Sequence, residues 1–330
     1  MTNNTLRKAK LTAVAQFPAA YFLENIAIRR DNSMLITVAN KQELWFVPSL
    51  SEAGPVEPLK LHTFDVAPSG IVETEPDVFY ISAGKFYNTD EGFLQRLDLR
   101  DWTAGAPVKL QQVFQFLKNV RALNGSCLIG PNIILLADSF AGLIWRVDLP
   151  TNGGTPVAQI WLQHESMGYY PGQLKPEQPG INGLRYAAKL GYIYYTATAK
   201  KLFMRVKIDS KTLTAAGEPE HVAAGRMADD FCIDEDASVA YLTTHRENTI
   251  DVVSLDPAKN SARFIVAGDP FTEELIGPSS AAWSRRPGEY GKVAYVTTDG
   301  GTASPPPDGL RRPAKLLRVE LPEVPEALRS

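Results

Sequence analysis

Six times along the chain a short polar step opens a β-rich run of apolar residues, which turns and continues through two or three further strand-like runs. The first copy opens at Glu24-Asn25 and reads ENIAIRRDNSMLITVANKQELWFV. The second opens at Ser69-Gly70 and contains VFYISAGKFYNTDEGFLQRLDL, and the third opens at Asn124-Gly125 and contains IILLADSFAGLIWRVDL. The fourth opens at Asn182-Gly183 with GYIYYTATAKKLFMRVKI, and the fifth at Asp229-Asp230 with SVAYLTTHRENTIDVVSL. The sixth opens at Pro278-Ser279 and contains KVAYVTTDGG and KLLRVEL. Successive openings are 45, 55, 58, 47 and 49 residues apart. A period near this length, with four short strands per unit, predicts an all-β, six-bladed β-propeller. One four-stranded blade has two apolar faces that it cannot cover alone, and radial stacking covers both.

A closed ring needs a joint. The segment Lys10 to Phe17 (KLTAVAQF) reads as a strand but precedes the first blade, so it is expected to complete the sixth blade as its outer strand beside KLLRVEL. No amphipathic helix of normal length competes; the stretch Val113 to Ala122 is short and begins at a β-branched residue. The expected organisation is a tail over residues 1–9, one propeller domain over residues 10–321, and a frayed tail over residues 322–330. Two stretches interrupt the repeat. Gln163 to Gly180 is long, aromatic and rich in Pro and Gly, and Thr302 to Pro313 cannot pair as a strand because of its prolines.

The 330 residues are 44% hydrophobic and 22% charged, enough for a large core and against disorder. Thirty-four basic and 37 acidic residues give a net charge of −3, which supplies no electrostatic reason to expect nucleic acid or an anionic membrane as partner. Cys127 and Cys232 sit in apolar runs without ligand spacing, as reduced core thiols would. No apolar leader segment and no bilayer-length apolar run is present, so a soluble, cytoplasmic protein without membrane insertion is expected.

In a propeller the innermost strands line the central channel. The polar steps would therefore bring Glu24, Asn25, Asn124, Asn182, Asp229, Asp230, Ser279 and Ser280 toward one end of the axis. A ring of carboxylates and amide carbonyls suits a hard cation or a polar substrate, and the same groups could equally cap strand ends. Of the four histidines, His62 and His221 fall in outer-strand positions. His245, in TTHREN, and His164, opening the long aromatic loop, are the acid–base candidates. Phe22, Phe86, Tyr87, Phe140, Tyr169, Tyr170, Phe231 and Trp283 are expected beside the same mouth, with Lys85 and Arg185 as cationic donors. An apolar cleft with a few convergent polar groups is what a small-molecule site requires.

The order of motifs resembles the regucalcin/gluconolactonase-like six-bladed propellers: FLENIAIR, then GINGLR with YYTAT and LFMRVKID, then ADDFCID with AYLTTHREN, then GPSSAAW with AYVTTDGG. In particular it is similar to their fungal branch associated with secondary-metabolite gene clusters, over residues 10–321. Hydrolytic members hold one divalent metal through a Glu, two Asn and an Asp, which by motif position correspond to Glu24, Asn124, Asn182 and Asp229. The chain departs from the lactonase pattern where Asn25 and Asp230 follow the acidic residues. Within the fungal branch it resembles the hetero-Diels–Alderases of tropolone–sesquiterpenoid biosynthesis. That resemblance implies dehydration of a hydroxymethyl tropolone-type substrate to an ortho-quinone methide, then [4+2] cycloaddition to humulene, with no cofactor required. Polyketide–terpenoid small molecules would be the partners. Lys85, Arg185 and His245 would donate hydrogen bonds, and Glu24 or Asp230 would act as acid–base group. Asn25, Phe86, Tyr87, Phe140, Tyr169, Tyr170, Asn182, Phe231, Ser279 and Trp283 would hold the reactants. The alternative is a lactonase-type hydrolase dependent on Ca²⁺ or Mg²⁺, and a third reading is a non-catalytic propeller used for binding.

Overall fold

The computed structural model describes residues 7–50, 54–85, 91–117, 119–151, 153–172, 178–259 and 262–329. Its strands form six antiparallel four-stranded sheets, and among the described residues the remaining regular structure is four single-turn 3-10 helices. No helix among the described residues is long and apolar enough to cross a membrane.

The innermost strands, in chain order, are Leu23–Ile28, Ala67–Glu75, Leu123–Gly130, Ile181–Ala187, Phe231–Asp234 and Pro278–Trp283. Five blades run outward in sequence order. The sixth is completed by the N-terminal strand Lys10–Ala19, which pairs antiparallel with Pro313–Glu320 from Lys10 opposite Glu320 to Ala19 opposite Pro313. The expected closure is therefore present: strands from the two ends of the chain share one sheet, and no blade is left with an uncovered face.

Burial follows position in the blade. Second strands such as Met34–Val38, Val239–Thr244 and Val293–Thr298 are buried at every residue, whereas the outer strands Leu59–Thr63 and Val157–Gln163 have no buried residue. A second strand faces a neighbouring blade on each side, so both of its faces are dry; this is why VAYLTT and VAYVTT lack a polar-out alternation. The core is thus divided into clusters between adjacent blades. Val14, Phe17, Leu23, Ile36, Tyr295 and Leu316 fill the seam between blades six and one, and Tyr241, Val252, Val296, Leu317 and Leu328 the seam between five and six.

Two sequence expectations change. The C-terminal tail is docked rather than frayed: Leu328 is fully buried in the blade five–six seam, and the Arg329 carbonyl accepts a hydrogen bond from Lys259 Nζ. Pro313 does enter a sheet, but as the first residue of its strand, where a missing N–H leaves the ladder intact.

Candidate functional site

Each inner strand begins at the channel mouth with its polar step. In five of the six the pairing with the second strand slips at that step, between Leu23 and Asn25, Pro68 and Ile71, Leu123 and Ser126, Ile181 and Leu184, and Pro278 and Ala281. A bulge frees backbone groups from the ladder and re-aims the side chains it carries. Carbonyls at or beside the steps accept hydroxyl hydrogen bonds from the preceding blade: Thr37 to Ser69 O at 2.7 Å, Ser69 to Leu123 O at 2.7 Å, Ser139 to Ile181 O at 2.6 Å, Thr196 to Asp229 O at 2.6 Å and Thr243 to Ser279 O at 3.0 Å. Ser279 Oγ donates to Leu23 O and completes the circle. Where the second residue of the step is glycine, the seam leaves little room for a side chain. A Cβ on Gly125 would lie 2.5 Å from Asn182 O, and one on Gly183 would lie 2.4 Å from Asp230 Oδ1.

The first residues of four steps, Glu24, Asn124, Asn182 and Asp229, meet in a cavity of about 410 Å³ at the mouth. Its polar floor is Glu24, Asn124, Asn182, Asp229 and His245; Phe22, Ala39, Phe140, Pro179 and Met227 supply apolar wall, and Arg246 also lines it. Hydroxyls orient both asparagines. Asn124 Nδ2 donates to Ser139 Oγ at 3.2 Å, and Asn182 Nδ2 donates to Thr198 Oγ1 at 3.1 Å. Both hydroxyls in turn donate to carbonyls of the next blade, Ser139 to Ile181 O at 2.6 Å and Thr198 to Ala228 O at 2.7 Å. With its amide N–H groups turned this way, Asn124 Oδ1 is buried and has no hydrogen-bond partner among the described residues.

The two floor carboxylates are buried and close enough to repel. Burial, then the charge of Asp229, raises Glu24 from an ordinary 4.5 to about 8. Burial raises Asp229 from 3.8 to about 7, against the pull of His245. Two such carboxylates keep both charges only beside a cation; otherwise one of them holds a proton. His245 Nε2 stands 3.0 Å from Asp299 Oδ2, and its ring stacks on Phe22 at 5.3 Å. Burial alone pulls the imidazole down, but Asp299, Asp229 and Glu24 outweigh it and hold His245 above its usual range. Asp299 is itself fixed by the N–H groups of Gly301 and Ala303, both at 2.7 Å.

The expected site residues therefore divide. Glu24, Asn124, Asn182, Asp229, His245, Phe22 and Phe140 share the cavity. Tyr169 packs edge-on to Phe140 at 4.8 Å, while Tyr170 faces solvent beside Lys200. Asn25, Asp230, Ser280 and Arg185 form a second polar group that does not line the cavity: Arg185 meets Asp230 Oδ2 at 2.5 Å, and Ser280 donates to Asp230 at 2.5 Å and to Asn25 at 3.4 Å. Ser279 is taken up by the blade seam. Phe231 is fully buried against Phe203, and Trp283 packs on Tyr241 with its indole N–H bonded to Ile233 O; both belong to the core between blades. Lys85 pairs with Glu91 at 2.7 Å on the exposed surface, away from the cavity lining. Phe86 and Tyr87 lie outside the described residues. His164 caps a short turn through Ser166, and His62 and His221 do lie in outer strands.

The sequence reading overlooked Asp299 and Arg246. A signal for the first existed: Tyr241-Leu-Thr-Thr-His245 and Tyr295-Val-Thr-Thr-Asp299 occupy the same place in successive repeats, so the pair is formed by equivalent positions of neighbouring blades.

No family model matches the chain, and no curated protein matches it. Solved structures do. A luciferin-regenerating enzyme superposes with a TM-score of 0.64 at 12% identity, covering 96% of this chain and 97% of its own. A gluconolactonase from Xanthomonas campestris gives 0.62 at 12% identity, over 95% and 90%. A calcium-binding regucalcin from Agrobacterium tumefaciens gives 0.56 at 15% identity, over 97% and 99%. At these identities the likeness establishes a shared six-bladed architecture, and these neighbours include enzymes.

Proposed function

We propose that this propeller is a hydrolase of lactone or ester substrates, dependent on a divalent cation and working at the channel mouth. The observation that carries the reading is the convergence of Glu24, Asn124, Asn182 and Asp229 from four different blades into one buried floor. The residues fit a hard cation. Two carboxylates there resist ionising together, and Asn124 Oδ1 is a buried acceptor left without a partner. Among the described residues no three His, Cys, Asp or Glu side chains are grouped for a metal, so a cation here takes amide oxygens beside the two carboxylates. Ca²⁺ or Mg²⁺, when bound, supplies Lewis-acid polarisation of a substrate carbonyl. The gluconolactonase and regucalcin neighbours lend this reading its weight over others.

His245 is the proton-transfer group. As neutral imidazole it takes a proton from the water that attacks the carbonyl carbon, and as imidazolium it returns that proton to the departing alkoxide. Asp299 is a positioning residue that holds the ring and stabilises its charged form. Phe22 stacks on the ring, and Phe22, Phe140 and Met227 exclude water from the apolar part of the substrate. The test is calorimetric titration with Ca²⁺ and Mg²⁺, alongside hydrolysis of a panel of lactones and aryl esters. Wild type should bind one ion and hydrolyse at least one member of the panel; Asp229→Asn should lose both. An absence of ion binding, or hydrolysis untouched by chelator, overturns the reading.

A second reading is favoured by the apolar wall together with the His245–Asp299 pair: a hetero-Diels–Alderase of tropolone–sesquiterpenoid assembly. His245 would protonate the leaving hydroxyl of a hydroxymethyl tropolone while a floor carboxylate takes the ring hydroxyl proton. Water and an ortho-quinone methide result, and the cavity would hold the diene against humulene in near-attack geometry. Chelator-insensitive formation of the cycloadduct, lost in His245→Ala, supports this reading; incubation of both reactants without any adduct removes it.

A further inference from the structure

Many of the arginines are committed to carboxylates. Arg185 pairs with Asp230 at 2.5 Å, Arg226 with Asp251 at 2.9 Å and Glu247 at 3.5 Å, and Arg312 with Glu273 at 2.8 Å. Arg246 differs. It lines the cavity beside His245, is partly buried, and has no hydrogen-bond or ion-pair partner among the described residues. The nearby acids are already engaged. Asp299 accepts from Gly301 and Ala303 and faces His245, and Glu247 faces Arg226.

We propose that Arg246 recognises an anionic oxygen group on the ligand, so that this pocket takes mostly apolar molecules bearing one carboxylate or ionised enol. A guanidinium presents five donors in a planar fork matched to such a group. Partial burial removes much of its hydration and lowers its basicity; the charge of Asp299 acts against this, but Asp299 makes no ion pair with the guanidinium and faces His245. An incoming anion restores that interaction beside low-dielectric walls, where it is stronger than in water. The apolar frame of Phe22, Ala39, Phe140, Pro179 and Met227 holds the remainder of the molecule. The inference rests on the mouth pocket being the substrate site, and it names the substrate class.

Two fluorescent probes that share an aromatic frame and differ in charge test it: 8-anilinonaphthalene-1-sulfonate and the neutral N-phenyl-1-naphthylamine. Both are titrated into the full chain in the presence of chelator. Losing a charged hydrogen-bonded pair predicts that Arg246→Gln weakens the sulfonate probe by about 10-fold or more. The neutral probe should stay within about twofold, since area burial is unchanged. Arg246→Lys should retain part of the preference. Met227→Trp, which fills the cavity, should weaken both. An unchanged sulfonate affinity in Arg246→Gln, an equal loss for both probes, or indifference of both to Met227→Trp overturns the proposal. Hydrolysis that fails while Arg246-dependent selectivity persists removes the hydrolase reading alone; hydrolysis that persists without such selectivity removes the anion site alone.

Discussion

Replacing Glu24 by Gln should make the metal-free protein more stable at high pH, although it removes a central residue of the site. Glu24 is raised from 4.5 to about 8 by burial and by Asp229. Between those values the folded state holds a proton that the unfolded chain has released. Stability is therefore full below the unfolded value, falls as pH rises, and reaches its floor above about 8. Each unit of that shift is worth about 1.4 kcal/mol, so the carboxylate costs on the order of 4 kcal/mol at pH 8.5. Gln mimics the protonated acid and does not titrate. In chelator, thermal melts of wild type and Glu24→Gln should nearly coincide at pH 5 and diverge by roughly 5–10 °C at pH 8.5, with the variant higher. Asp229 and His245 are also raised, and their loss of stability runs in the same direction; wild type against variant therefore reads Glu24 together with its coupling to these two neighbours. Millimolar Ca²⁺ should narrow or reverse the gap, because a cation stabilises the state that binds it. A variant less stable than wild type at pH 8.5 in chelator would refute the account of this floor as two carboxylates held under mutual strain.

Two further outcomes are expected. Asp299→Asn removes the leading influence that raises His245, so the acid limb of the pH–rate profile should move to lower pH and kcat should fall by about 10- to 100-fold; an unmoved limb would show that the pair does not govern proton transfer. Gly125→Ala places a Cβ 2.5 Å from Asn182 O and 2.9 Å from Leu184 N. Backbone cannot swing aside as a side chain would, so a loss of about 1–3 kcal/mol in denaturant melts is expected, together with weaker ion binding through Asn182.

Much of the architecture was legible because it is periodic. The polar steps at Glu24, Ser69, Asn124, Asn182, Asp229 and Pro278 mark the openings of the inner strands, since a burial problem solved six times leaves six traces. The closing strand was legible for a related reason: Lys10 to Phe17 had strand character and no blade of its own. The ring of first-step residues followed from the same repeat. Assignment of aromatics and cations to the mouth had no such guide. Phe231 and Trp283 are indistinguishable in sequence from pocket walls, yet packing between blades claims them. Arg185, three positions past Asn182 on the same strand, is drawn to Asp230, and Lys85 to Glu91.

What the chain alone determined is the unit and its number, because alternation, turns and spacing are local properties repeated along it. Tertiary structure decided which side chains face the cavity and what they do there. That choice depends on bulges at the polar steps, on hydroxyls that turn Asn124 and Asn182, and on the meeting of His245 with Asp299 across a blade seam. The asparagines are oriented by hydroxyls 15 and 16 residues away within their own blades, whereas the charges that set Glu24 and His245 come from other blades and meet only when the ring assembles.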